Sequence, residues 1–161
     1  MFPLELFKGI IHDTDPLYTN KRILYTGEDM AQIPANVLAK MAEQTTVKTL
    51  VTASKSGRPH AIVCGSILSP SPDKIIVGEV LMKRASANLQ ENPKAAVLVC
   101  AGMESYEIAL SNPVRIAEGP VLEQMNEGLA KVHLQARAVW MFDVCAVFNE
   151  SATPEAGTKI A

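Results

Sequence analysis

Two adjacent cations, Lys83 and Arg84, stand where an apolar run gives way to a helix-forming stretch. Ile75-Ile76-Val77 is short enough for a strand, and Lys83 to Glu91 is rich in good helix formers. Asn92-Pro93 ends that helix, because proline forces the residue before it out of helical geometry. A second apolar run, Ala95 to Cys100, follows. Cations at a helix start oppose the helix dipole, so their placement asks for a reason. Free backbone N–H groups together with Lys83 and Arg84 would seat an anion such as a phosphate. A solvated cationic corner is the plainer alternative. Elsewhere the chemistry is sparse. His12, His60 and His133 are scattered and form no acid–base pair, and His60 beside Pro59 reads as structural. Cys64, Cys100 and Cys145 show neither a CxxC pair nor zinc spacing, so they read as buried free thiols in a reducing cytoplasm. No glycine pattern reads GxGxxG, so there is no dinucleotide fingerprint.

The elements that must position the cations belong to one domain of ordinary size. The chain has 161 residues, 48% of them apolar, and a net charge of −2. That balance gives no reason to expect nucleic acid or an anionic membrane surface as a partner. The first residues lack a basic start before an apolar core, so no leader is expected, and no apolar run approaches the roughly 20 residues of a membrane span. Residues 1–33 read as an arm. It holds Phe2, Leu4, Phe7, Ile10, Ile11, Leu17, Tyr18, Ile23, Leu24 and Tyr25, too much apolar surface for a free tail.

From residue 34 to 161 the pattern is mostly strand. Pro34 to Glu43 is expected as a helix, with Pro34 in its first turn and Val37, Leu38 and Met41 on one face. Thr46 to Ser54 is a β-rich run, Lys55-Ser56-Gly57 a turn, and His60 to Leu68 one returning strand. Ser69 to Asp73 is expected as a loop and Lys74 to Glu79 as a strand. Tyr106–Leu110 and Pro113–Leu122 read as two strands, the second bent at Gly119-Pro120. Glu123 to Gln135 reads as a helix, Ala138 to Phe148 as the longest strand, and Asn149 onward as a polar tail. Antiparallel strands with short helices and no βαβ rhythm predict a mainly β, α+β fold, a small β-barrel with flanking short helices.

Three patches, in this order and spacing, carry a resemblance. They are Leu50 to His60 with its Gly57-Arg58-Pro59 turn, Arg84 to Pro93 with its Asn88-Leu89 and Asn92-Pro93 pairs, and Arg137 to Phe148 followed by Ala156-Gly157. Together they resemble the FMN-binding split-barrel family, the superfamily of pyridoxamine 5′-phosphate oxidase and the small bacterial FMN-binding proteins. The resemblance makes residues 34–161 an FMN-binding domain and implies a six-stranded antiparallel split β-barrel with flanking short helices. It implies that Arg84, helped by Lys83 and next to Ala85, holds the FMN phosphate. It places Val63, Cys64, Gly65 and Ser66 along the isoalloxazine and ribityl chain, and Gly78, Glu79, Val80 and Met82 beside the flavin's other edge. Ala85 stands where some relatives have a threonine, so no hydroxyl is expected there. The arginine-rich C-terminal motif of the true pyridoxamine phosphate oxidases is missing, which argues against pyridoxal phosphate synthesis.

Two functions follow from that resemblance. One is an FMN-dependent oxidoreductase, a cytoplasmic homodimer with FMN at its interface, drawing electrons from NAD(P)H or another donor. The other is an FMN-binding module for electron transfer or flavin storage, without turnover. A flavin-free or haem-binding descendant of the barrel is a third option.

Overall fold

The computed structural model describes residues 30–161, so most of the expected arm, residues 1–29, lies outside the described residues. Helix α1 (Ala35–Ala42) opens the described chain and the hairpin β1 (Val47–Ala53) and β2 (Pro59–Val63) follows it. Next come β3 (Ile67–Ser71), β4 (Lys74–Gly78), α2 (Lys83–Glu91), β5 (Ala95–Ala101) and β6 (Glu104–Ile116). Helix α3 (Pro120–Ala130), β7 (Val139–Asn149) and β8 (Thr158–Lys159) complete it. All pairings are antiparallel, in the order β2-β1-β5-β6-β7-β4-β3, with β8 added to the end of β7. The fold is therefore a curled, mainly β sheet with three short helices, as expected in class, but with eight strands among the described residues rather than six.

Alternation along the strands makes the core. Leu50, Ile75, Val77, Val97, Val99, Ile108, Phe142 and Val144 point into one cluster and are almost fully buried. Each such side chain contributes about 1.5–3 kcal/mol relative to remaining exposed. Helix α1 closes the cluster with Val37 and Met41, and α2 does so with Ala85 and Leu89. Residues 30–33, the last of the expected arm, lie along the barrel. Ala31 N donates to Val144 O at 2.9 Å, Ile33 N donates to Pro72 O at 2.8 Å, and Ile33 is buried. Among the described residues, no helix is long and apolar enough to cross a membrane.

Four local expectations need correction. The run His60–Leu68 is not one strand: it breaks at Cys64-Gly65-Ser66, which turns the chain from β2 into β3. The expected loop at Ser69–Asp73 is mostly strand, because β3 runs through Pro70 to Ser71. An edge strand tolerates a proline, since a missing N–H on the outer side breaks no ladder bond. The two strands expected on either side of Ser111-Asn112-Pro113 are one long strand, β6, with a bulge there. Asn112 has φ +50° and the register shifts between Ser111 and Val114. Gly119-Pro120 bends no strand. Gly119, at φ +92°, ends the extended chain, and Pro120 starts α3 with its ring already at helical φ. The polar tail also adds a short strand, as Thr158 and Lys159 pair with Asn149 and Phe148.

Candidate functional site

Among the described residues the sheet has two unpaired edges, β2 and β3, which are consecutive in the chain without pairing with each other. A cavity of about 500 Å³ opens where they part. The turn Cys64-Gly65-Ser66 forms one wall, with Ile62 and Val63 before it and Leu68 after it. Gly78, Val80, Leu81 and Met82 form the second wall, and Met125, Gly128, Leu129, Val132 and Leu134 from α3 and its exit form the third. The walls are mainly apolar, with Ser66 and Gln124 as the polar side chains among the described residues and three sulfurs, from Cys64, Met82 and Met125. Burial pushes the Cys64 thiol pKa up, so it stays protonated at neutral pH. Val63, Leu68, Leu81, Val132 and Leu134 are large apolar side chains left exposed at the rim.

Gly78 sits at the narrowest point. Gly78 N donates to Ser66 O at 3.0 Å, and Ser66 Oγ donates to Gly78 O at 3.1 Å. A Cβ on Gly78 would stand 3.1 Å from both Met125 Sδ and Ser66 Cβ, so only glycine leaves this contact relaxed. Seven of the eleven residues expected at the site therefore meet in one cavity: Val63, Cys64, Gly65, Ser66, Gly78, Val80 and Met82.

The other four take different places. Met82 is both a wall residue and the N-cap of α2, and no side chain caps that helix start. Lys83 and Arg84 follow in the first turn, both exposed and outside the cavity wall, beside N–H groups that the helix itself cannot satisfy. The cavity thus ends at a site suited to a phosphate. Ala85 is fully buried beneath α2, so it can offer a ligand only its backbone. Ser86, one residue on, is buried, and its hydroxyl has no partner among the described residues. Its burial could not be read without knowing how α2 docks. Asn88 Nδ2 donates to Thr52 Oγ1 at 3.0 Å and Asn92 Nδ2 to Ser54 O at 3.2 Å, which fixes the helix against the hairpin.

Glu79 faces the opposite way from Gly78 and Val80, as alternation requires. It is 3% exposed and lies at the end of the barrel interior. Arg115 reaches it through Nε at 2.8 Å and Nη2 at 3.1 Å, Arg137 through Nη2 at 3.1 Å, and Trp140 through Nε1 at 2.9 Å. The Arg115 hydrogen bonds, followed by those from Trp140 and by the charges of both guanidiniums, hold its carboxyl below the usual range despite burial. Its side chain is thus committed to this cluster, and its contribution to the cavity wall is through its neighbours.

Comparison with known proteins gives this geometry a lineage. The family model described as pyridoxamine 5′-phosphate oxidase matches residues 35–149. No curated protein matches the chain. Among solved structures, HupZ of Group A Streptococcus aligns with a TM-score of 0.67 at 16% identity, covering 78% of this chain and 99% of that one. An FMN-binding protein from Syntrophomonas wolfei aligns with a TM-score of 0.60 at 16% identity, covering 66% and 78%. HutZ, the heme storage protein of Vibrio cholerae, aligns with a TM-score of 0.57 at 14% identity, covering 75% and 97%. At such identities these likenesses show a shared fold.

Proposed function

Because the chain belongs to the pyridoxamine 5′-phosphate oxidase family, we propose that it is an FMN-binding flavoprotein and an FMN-dependent oxidoreductase, with the flavin in the cavity between the two free sheet edges. The observation that carries this reading is one continuous surface, from an apolar cavity of flavin size to an uncapped helix start with two cations. The ring would lie against the Cys64-Gly65-Ser66 turn, where Gly65 has no side chain and open space beside its backbone. The phosphate would meet the first N–H groups of α2, the Arg84 guanidinium fork, Lys83 and the Ser86 hydroxyl.

FMN supplies hydride and single-electron chemistry, and the chain's own residues bind, orient and shield it. No carboxylate, histidine, lysine or arginine is among the cavity's lining residues. On this reading the described wall offers no charged general acid or base, and protons exchange through the open side. The five exposed apolar residues at the rim favour a homodimer that covers the mouth, with NAD(P)H or another donor approaching the exposed flavin face. The absence of a proton-transfer group from the wall also favours a second reading, an electron-transfer or storage module without a substrate of its own. The fold neighbours named for FMN binding and for heme storage frame that choice.

Two measurements test the proposal. The purified protein should be yellow, with flavin absorption bands, and a Soret band instead would replace flavin by haem. In a fluorescence titration, Arg84→Ala should weaken FMN binding by about 1.5–3 kcal/mol, the worth of a charge-assisted hydrogen bond. That is roughly ten- to more than hundredfold in Kd. Riboflavin, which has the same ring and no phosphate, should bind the variant and the parent alike. Equal FMN affinity for both would leave the cationic corner a solvated surface. NADH consumption with an added acceptor then separates the enzyme from the module.

A further inference from the structure

Helix α3 carries two residues that a helix interior disfavours, Asn126 and Gly128. Gly128 lines the first cavity, and open space lies where its Cβ would be. Asn126 is not among the lining residues and needs another account. Its Nδ2 donates to Ala136 O at 3.2 Å, and its Oδ1 accepts from Ala136 N at 2.7 Å. One amide thus satisfies both backbone groups of a residue that is 2% exposed. We propose that Asn126 is a positioning residue for the flavin ring: it holds α3, the third wall of the cavity, at a fixed distance from the second wall. This role presupposes the flavin reading and adds to it the residue that sets the cavity's width.

The path from Ala136 to the second wall is short. Arg137 N donates to Glu79 O at 3.0 Å and Glu79 N donates to Ala138 O at 2.8 Å, and Glu79 lies between the wall residues Gly78 and Val80. Helix α3 has little else to fix it. Met125 is its buried residue, set against Gly78 and packed with Ile76, Ala136 and Val139. Among the described residues no other side chain of α3 is hydrogen-bonded to the rest of the fold. No side chain caps its start, and left-handed backbone brackets it, at Gly119 with φ +92° and at His133 with φ +57°. Apolar contact is non-directional, so Met125 alone would let the helix slide along the sheet. Two hydrogen bonds to one residue are directional and remove that freedom. A wall free to shift would lose its fit to a rigid ring. The phosphate end would not feel the change, because α2 is fixed separately by Asn88 and Asn92.

The test is a fluorescence titration of the full chain with FMN and with riboflavin, for the parent, Asn126→Ala and Asn126→Asp. Asn126→Ala should weaken both flavins by the same factor, roughly five- to tenfold, the worth of one to two net hydrogen bonds. Amide exchange should quicken in residues 120–136 and stay parental in α2. In Asn126→Asp the carboxylate still accepts from Ala136 N but has no hydrogen for Ala136 O. Protonation restores that donor, and a half-buried carboxyl facing a carbonyl titrates above the usual aspartate value near 3.9. Its riboflavin affinity should therefore climb toward the parent's as the pH falls from about 8 to about 4.5, with no such recovery in Asn126→Ala. A merely structural amide would lower stability and leave the folded protein's affinity and its pH profile unmoved. Parental affinity for both flavins in Asn126→Ala, a loss confined to FMN, unchanged exchange across α3, or an Asn126→Asp loss that ignores pH would each overturn the inference while the flavin reading stands. A parent that binds neither flavin would overturn the flavin reading and this inference with it. Asn126→Asp keeps one of the two bonds, which preserves the test if Asn126→Ala does not fold.

Discussion

Three consecutive residues divide two regions with opposite polar chemistry. Gly78 and Val80 look into a cavity with apolar walls and an open mouth, while Glu79 between them looks into a closed cluster. In the cluster both carboxylate oxygens are matched, one by Arg115 and Arg137 and the other by Arg115 and Trp140. At the start of α2, next to the cavity residue Met82, donors remain unspent: the first N–H groups of the helix and the exposed cations Lys83 and Arg84, while the buried Ser86 hydroxyl has no partner among the described residues. A buried charge is tolerated only when it is paired and hydrogen-bonded. An unsatisfied donor is expected instead where something else is to bind. The saturated side ties the end of β4 to β6 and β7, and the unsaturated side is where the proposed phosphate would bind.

This contrast predicts opposite phenotypes on its two sides. Glu79→Ala should have the largest effect. It strands Arg115 and Arg137 against each other at the barrel end and should cost about 3 kcal/mol, the low end for a broken buried pair because both guanidiniums reach solvent. Chemical denaturation reads this as a lower midpoint. The parent should also show the cluster's acid limit. The carboxyl's pKa is depressed in the fold, so its stabilisation is complete above the ordinary glutamate range near pH 4.3 and is lost as the pH falls through the lower folded value. Glu79→Gln should flatten that acid limb; a parental limb in Glu79→Gln would mean the cluster does not set it.

On the cavity side the effect should be smaller and directed at binding. Gly78→Ala places a methyl 3.1 Å from Met125 Sδ and Ser66 Cβ, so it should cost about 1 kcal/mol of stability through overpacking and lower flavin affinity as well. Unchanged affinity for both FMN and riboflavin would show that the ring does not pass this point. The smallest effect should come from Asn88→Ala. Loss of its hydrogen bond to Thr52 should cost about 0.5 kcal/mol, measured by the thermal midpoint, and should disturb FMN more than riboflavin if α2 carries the phosphate.

How much of this the sequence disclosed depends on the distance between partners. Helix α2 was legible to the residue, because its start, composition and Asn92-Pro93 stop are all local. Helix α1 and strands β1, β4, β5 and β7 were equally plain, since apolar alternation and turns bound them within a few residues. The break at Gly65 was hidden in a run of apolar residues that could belong to one strand or two. The Glu79 cluster was illegible for another reason: its partners lie 36, 58 and 61 residues away, and only the β4–β7 and β6–β7 registers bring them together. Cavity residues could be named from the resemblance because they fall on two short segments, 63–66 and 78–82. The third wall, from α3, could not, because the expected helix lay three residues late and its packing face was unknown.

The two unpaired sheet edges have one more consequence, for behaviour in crowded solution. An exposed edge is a template on which another chain can add a strand, and here the two edges lie close together at one opening. Each carries a proline: Pro59 opens β2 and Pro70 interrupts β3. Proline offers no N–H to an incoming strand, so both edges are blunted where they would otherwise invite fibril-like addition. Pro70→Thr would restore a donor and raise β propensity on β3. The variant should keep its fold and yet aggregate at concentrations where the parent stays dispersed, which light scattering would record.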